Sequence, residues 1–312
     1  MIIDVHYHWW KLPSDENVGR QITAGLIEDA ERNGVKRQVD EIYPTLRDYM
    51  DDLDCDKLVK RMDTNGIDVT VILMMDNYDM GASNERILQA NERCAKAAAR
   101  HPGRLLSMAS IDPRRPEAPA LLRKCLGEYK MNGLKWHPDN GFYPNSKESY
   151  AVLEVANEFG VPLLTHCGLL ARARAKYTHP LHLDDVALDF PNLQIIAAHM
   201  GHMWWQEWAA IAQYKANLSG DMAMWQLMAV AKPALFRKTL RNILDIMGHE
   251  QVLFSSDGPV YEPLVDNKKW IDIIKGLIIK GKDDIVFSQT EIDAILGGNA
   301  QRIFKLNKRN SE

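Results

Sequence analysis

Asp4-Val5-His6-Tyr7-His8 ends the first apolar run of the chain and sets two imidazoles two residues apart. Residues at that spacing on a strand point to one face, so His6 and His8 can aim at a common point. Imidazole is a ligand for zinc, iron, nickel and similar ions. Asp4, two residues earlier, is expected on the same face, supporting a ligand from behind. An isolated His-x-His pair is also what two surface or packing histidines look like. The reading gains weight because the ending recurs. Pro162-Leu-Leu-Thr-His166 and Leu193-Gln-Ile-Ile-Ala-Ala-His199 are apolar runs that stop at a histidine, and Val252-Leu-Phe-Ser-Ser-Asp257 stops at an acid. The C-terminal ends of successive strands are where α/β barrels carry their catalysis.

Other polar residues admit two readings each. Lys135 and His137, in Gly133-Leu-Lys-Trp-His-Pro138, share a face at the end of the fourth run. They are either substrate contacts or a buried pair satisfied by an acid. Arg172 and Arg174 follow His166 and could grip a carboxylate bidentately, or form a solvated charge face. Trp9 and the other tryptophans near strand ends could wall a planar substrate or simply pack. His202, three residues past His199, is expected to support the site from behind. The Met-rich stretch 222–228 reads as packing or a subunit contact.

The elements that would position these groups alternate along the whole chain. Strand-like runs at 2–5, 68–74, 105–111, 133–136, 161–165, 193–198, 216–219 and 252–255 are separated by amphipathic helical patterns. About eight strand–helix units favour a closed (β/α)₈ TIM barrel of the α/β class, one domain over 1–312. Residues 9–53 are too long for an ordinary loop after the first strand. They are expected to be an insertion with short helices over the barrel mouth.

Composition narrows the classes. The chain has 312 residues, 46% of them hydrophobic, and a chain of that size buries about 75% of its unfolded surface without a metal's help. A metal here would serve chemistry rather than folding. Lys and Arg (38) nearly balance Asp and Glu (42), and no basic run tracks phosphates, so nucleic acid is not an expected partner. No Gly-x-Gly-x-x-Gly or Gly-Lys-Ser/Thr phosphate loop is present. Four scattered cysteines, no secretory leader and no long apolar stretch lead us to expect a soluble, cytoplasmic protein off the membrane.

Taken together, Asp-x-His-x-His, Leu-Leu-Thr-His166-Cys-Gly, Ala-His199-Met-Gly, Ser-Ser-Asp257 and the closing segment Ile295-Leu-Gly-Gly-Asn299-Ala-Gln-Arg-Ile-Phe-Lys-Leu306 resemble the amidohydrolase superfamily. The likeness is to its amidohydrolase-2 branch, which includes aminocarboxymuconate-semialdehyde decarboxylase, and it runs from Met1 to about Leu306. It implies metal ligation by His6, His8, His166 and Asp257. His199 would be the catalytic histidine of a one-metal site, or a ligand in a two-metal one. The cofactor implied is a divalent ion, zinc first, with manganese or another first-row ion as alternatives. Lys135 resembles the lysine that dihydroorotase-like members carboxylate to bridge two metals; the single-metal reading is preferred. The resemblance implies a hydrolase of a small cyclic or carboxylated amide, lactam or lactone, with a metal-activated water and Asp257 as proton acceptor. The alternative is a non-oxidative decarboxylase, or a hydratase, of an aromatic or muconate-like acid. From another class comes a non-catalytic ligand-binding barrel. Family members are often dimers, so a homodimer is expected.

Overall fold

In the computed structural model the described residues are 1–76, 78–170, 173–281 and 284–306. Eight parallel strands stand in sequence order in one sheet: β1 (Ile3–His8), β2 (Val69–Leu73), β3 (Leu105–Ser110), β4 (Gly133–Trp136), β5 (Leu163–Thr165), β6 (Ile195–Ala197), β7 (Leu218–Asp221) and β8 (Val252–Leu253). The sheet closes on itself where Val5 N–H donates to the Phe254 carbonyl (3.3 Å) and Tyr7 bridges Gly258. It is a (β/α)₈ TIM barrel of one domain. Each strand is short, and β2, β5, β6 and β8 are wholly or largely branched apolar residues, as strands buried on both faces tend to be.

The helices that return the chain are α3 (Asp56–Asn65), α4 (Asn84–Ala99), α5 (Ala118–Gly127), α6 (Lys147–Phe159), α7 (His182–Asp189), α8 (Trp205–Ala212), α9 (Trp225–Ala231), α10 (Pro233–Met247) and α11 (Asn267–Lys275). The chain ends through α12 (Gln289–Asp293) and α13 (Asn299–Ile303). Local signals set their ends. Ser83 and Ser146 accept backbone N–H groups of the first turns of α4 and α6, while Gly66 (φ 74°) and Gly160 (φ 62°) close α3 and α6 in the left-handed region.

The barrel interior has two storeys. Below, Val5, Leu73, Met108, Leu164, Ile196 and Leu253 pack in one apolar cluster, joined by Ala300 and Ile303 of α13. Above, at the C-terminal strand ends, the inward residues are polar. The switch is sharpest on β1. Its register against β2 runs Ile3↔Val69, Asp4↔Thr70, then Tyr7↔Ile72 and His8↔Leu73, so one extra residue sits in β1. This β-bulge re-aims the strand, placing Ile3 and Val5 in the apolar storey and His6 and His8 in the polar one. Asp4 consequently loses the face it was expected to share with His6. Its carboxylate instead accepts the Ser256 hydroxyl (2.5 Å) and the Ser256 N–H (3.0 Å).

The insertion after β1 folds into two helices longer than the short ones expected, α1 (Glu16–Arg32) and α2 (Val39–Met50). Two contacts tie it to the rest of the barrel and one closes it on itself. Asn33 Oδ1 meets His202 Nε2 (3.2 Å) and Tyr49 stacks on Arg61, while the Trp9 indole donates to the Leu53 carbonyl (3.0 Å) across the insertion's own ends.

Candidate metal centre

Strand β1 and the turn after β8 deliver three donors to one point. His6 Nε2 lies 3.2 Å from His8 Nε2, and Asp257 Oδ1 is 3.1 Å from His8 Nε2 and 3.5 Å from His6 Nε2. Among the described residues these three form the group in which every donor is within 4.8 Å of the others, and all three are buried. Lys135, with no exposed surface, brings Nζ to 3.3 Å from His6 Nε2.

Hydrogen bonds fix which imidazole nitrogens carry protons. His6 Nδ1 faces Asp221 Oδ2 at 2.9 Å, and an ionised carboxylate only accepts, so His6 is protonated on Nδ1 and Nε2 presents a lone pair. The same logic runs through two further rings. His199 Nδ1 donates to the Ala223 carbonyl (3.1 Å), which leaves His199 Nε2 to accept from His166 Nδ1 (3.1 Å). His166 Nε2 is then a bare, buried lone pair without a hydrogen-bond partner. It stands outside the tight group of three, so the structure gathers His6, His8 and Asp257 and leaves His166 beside them.

The electrostatics suit cation binding. Burial, then the charge of Lys135, holds the His6 imidazole well below its ordinary range. Burial likewise pushes His166 and His199 down to about 4. Burial alone would lift the Asp257 carboxyl, yet the facing His6, His8 and His199 rings hold it far below the usual carboxylate range. Neutral imidazoles and an ionised carboxylate are the states a metal ion requires. Burial also brings Lys135 down to about 8, against the pull of Asp221 and Asp257. Both His199 (φ 63°) and Asp257 (φ 53°) occupy the left-handed region, conformations that cost energy and that functional sites retain.

The remaining expected residues are more scattered. His137 stacks on His166 (ring centroids 5.8 Å, 10° between planes), with both its nitrogens unpartnered and Asp139 Oδ1 3.5 Å from Nδ1. Trp9 is buried beneath the insertion, its indole N–H taken by Leu53. Arg174 is exposed, and Arg172 lies outside the described residues. His202 sits on the turn that carries His199 and bonds Asn33. Trp136 and Trp225 spend their indole protons on the Ile111 and His199 carbonyls, as packed residues do.

Two acids escaped the sequence reading. Asp221 ends β7 and is the most connected side chain of the site, accepting from His6 Nδ1, His199 N–H (3.0 Å), Ala223 N–H (3.0 Å) and Ser255 Oγ (3.1 Å). Leu218-Ser-Gly-Asp221 is the same strand-ending-in-acid signal as the one at Asp257. Asp139 stands two residues past His137. Because carboxylates that orient ligating histidines govern metal affinity, Asp221→Ala is expected to weaken metal binding about 10–100-fold, measured by chelator competition. Unchanged affinity would show that His6 is oriented by other contacts.

Comparison with known proteins decides the family: the amidohydrolase family profile matches residues 3–306. The chain belongs to the amidohydrolase family. No curated protein sequence matches this amidohydrolase. Among solved structures it resembles a dihydroxybenzoic acid decarboxylase from a Polaromonas species, with bound manganese and 2-nitroresorcinol, at 19% identity, 98% and 97% coverage of the two chains and a TM-score of 0.67. It resembles 5-carboxyvanillate decarboxylase from Sphingomonas paucimobilis (15% identity, 98% and 99% coverage, TM-score 0.65). A third is 4-oxalomesaconate hydratase from Rhodopseudomonas palustris (18%, 98% and 96%, 0.63). At these identities the likeness establishes the shared barrel. No helix among the described residues is long and apolar enough to cross a membrane.

Proposed function

We propose that this amidohydrolase is a metal-dependent lyase that removes CO₂, without oxidation, from an aromatic or muconate-like carboxylic acid. The observation that carries this reading is the burial of the site's ionisable groups. His6, His8, Lys135, His137, His166, His199 and Asp257 each expose 8% or less of their surface. Burying a substrate carboxylate among them would favour dispersal of its charge as CO₂ forms. Fold likeness to two decarboxylases and a hydratase supports the same choice over the amide or lactone hydrolase expected first.

His6, His8 and Asp257 would hold a divalent ion, with the unpartnered Nε2 of His166 as the fourth donor. Manganese, present in the Polaromonas relative, is proposed ahead of zinc; histidine and carboxylate donors accept either. When bound, the ion supplies Lewis acidity that orients the substrate's oxygens and stabilises negative charge. The protein's own groups do the rest. Lys135, buried at the centre, faces the carboxylate. The bond from that carboxylate to its carbon breaks, the electron pair stays on the carbon, and a proton must replace the departing CO₂. His199, anchored through Nδ1, and Asp257, 4.0 Å from that nitrogen, are the groups placed to hold it.

One observation favours a second reading. Lys135 Nζ at 3.3 Å from His6 Nε2 is where a carboxylated lysine would join two ions in a hydrolase. The test is to incubate manganese- and zinc-reconstituted protein with hydroxybenzoates, muconate-type acids, lactones and amides, following CO₂ release and substrate loss together. One CO₂ per acid consumed, abolished by chelation, is the expected result. Turnover confined to lactones or amides, without CO₂, would replace the lyase by the hydrolase.

A further inference from the structure

The metal donors meet across the weakest seam of the barrel. His6 and His8 come from β1 and Asp257 from the far side of β8, a strand of two residues. Along the donor-bearing part of that seam, the backbone offers the His8 N–H bond to the Gly258 carbonyl (2.5 Å) and the Tyr7–Gly258 bridge. Side chains supply the rest. The Tyr7 ring lies so close on Gly258 that an added Cβ there would sit 2.5 Å from it. The Tyr7 hydroxyl accepts from Arg61 Nη2 (2.7 Å), and Arg61 Nε stands 3.4 Å from Glu262 Oε1, five residues past Asp257. Glu262 is buried, and the Arg61 guanidinium is 3.9 Å from the Tyr49 ring of the insertion. One arginine of α3 thus grips the residue between the two histidines, the segment that follows the aspartate, and the insertion.

We propose that Tyr7, Arg61 and Glu262 are positioning residues that set the spacing of His6, His8 and Asp257 across the seam. The proposal rests on the metal-centre reading above. The β1 bulge turns Tyr7 away from the barrel interior, so it acts on its two neighbours through the backbone it pins.

The test compares Co²⁺ binding by wild type, Arg61→Met, Arg61→Lys and Tyr7→Phe, using chelator competition and the visible spectrum of the bound ion. Arg61→Met and Tyr7→Phe are expected to bind at least about tenfold more weakly with altered bands, and Arg61→Lys to recover part of the loss. A purely structural pair would shift thermal stability and leave affinity and spectrum alone. Folded Met and Phe variants with wild-type affinity and spectrum would overturn the proposal, whatever their melting temperatures. If Arg61→Met does not fold, Tyr7→Phe decides, since it deletes one oxygen and keeps the ring on Gly258. Wild type that binds no Co²⁺ would sink the metal-centre reading and the clamp together. Wild-type binding with unaltered variants would sink the clamp alone.

Discussion

Asp257→Asn is expected to lower turnover about 10²–10⁴-fold and to cost the protein most of its bound metal. The substitution isolates charge from shape. Asn is nearly isosteric with Asp, and like Asp it tolerates the left-handed backbone (φ 53°) that residue 257 adopts, so the fold has little reason to respond. What changes is the anion that His6 and His8 face at 3.5 and 3.1 Å. Without it the remaining buried carboxylate at His6, Asp221, is already engaged by His6, His199, Ala223 and Ser255, and a cation beside Lys135 loses its directly facing anion where burial makes such a loss costly. Two measurements check this: metal per chain by elemental analysis, and CO₂ release from the best acid found. One retained equivalent of metal, with turnover within tenfold of wild type, would remove Asp257 from both the ligand and the proton-holding roles.

The barrel was legible because its signals are local. Apolar runs of strand length with helical periodicity between them specify βα units one at a time, and the run at 133–136 is β4 to the residue. The site was legible to the extent that strand ends were. His6, His8, His166, His199, Lys135 and Asp257 all lie at the same end of the barrel because each sits within the last residues of an apolar run or just past it.

What was not legible depends on partners far away in sequence. The bulge in β1 exists only relative to the register of β2, so period-two reasoning carried from Asp4 to His6 put Asp4 on the wrong face. Asp221 was missed because Gly220 punctuates its strand. That glycine is there for packing: a Cβ would come within 2.6 Å of the Trp208 ring. His166 shows the opposite limit. Its place at a strand end was plain, but which of its nitrogens is free was not. Nδ1 donates to His199 in an arrangement set by the Ala223 carbonyl 24 residues beyond His199, leaving Nε2 as the open lone pair. The buried Arg115–Asp76 pair spans 39 residues and left no trace in the pattern.

That pair underlies the largest stability effect to be expected outside the metal centre. Arg115 has no exposed side-chain surface, and its Nε and Nη2 grip Asp76 at 2.7 and 2.6 Å. Its Nη1 donates to the Ala82 carbonyl (2.8 Å) and to Asn84 (3.1 Å), while Asp76 also accepts the Asp112 N–H (2.7 Å). The network therefore stitches the loops after β2 and β3, and Asn140, donating to the Asp76 carbonyl (3.1 Å), adds the turn that follows His137. Removing one partner of a buried pair strands the other charge, so Arg115→Met should cost about 3–5 kcal/mol. For a chain of this size that is a fall of about 5–8 °C in melting temperature. The loss should also depend on pH, with a definite sign. Burial already holds the Asp76 carboxyl above its ordinary value of 3.8 while Arg115 is present, and without the arginine it rises further. A carboxyl whose folded pKa is raised penalises the native state above that pKa, and the penalty fades as pH falls towards the unfolded value. The gap between wild type and Arg115→Met should therefore be widest at neutral pH and narrow on acidification towards pH 4. Thermal melts of both proteins across that range measure it. A gap that is constant with pH would mean that the variant suffers from lost packing and loop contacts, with Asp76 finding another partner.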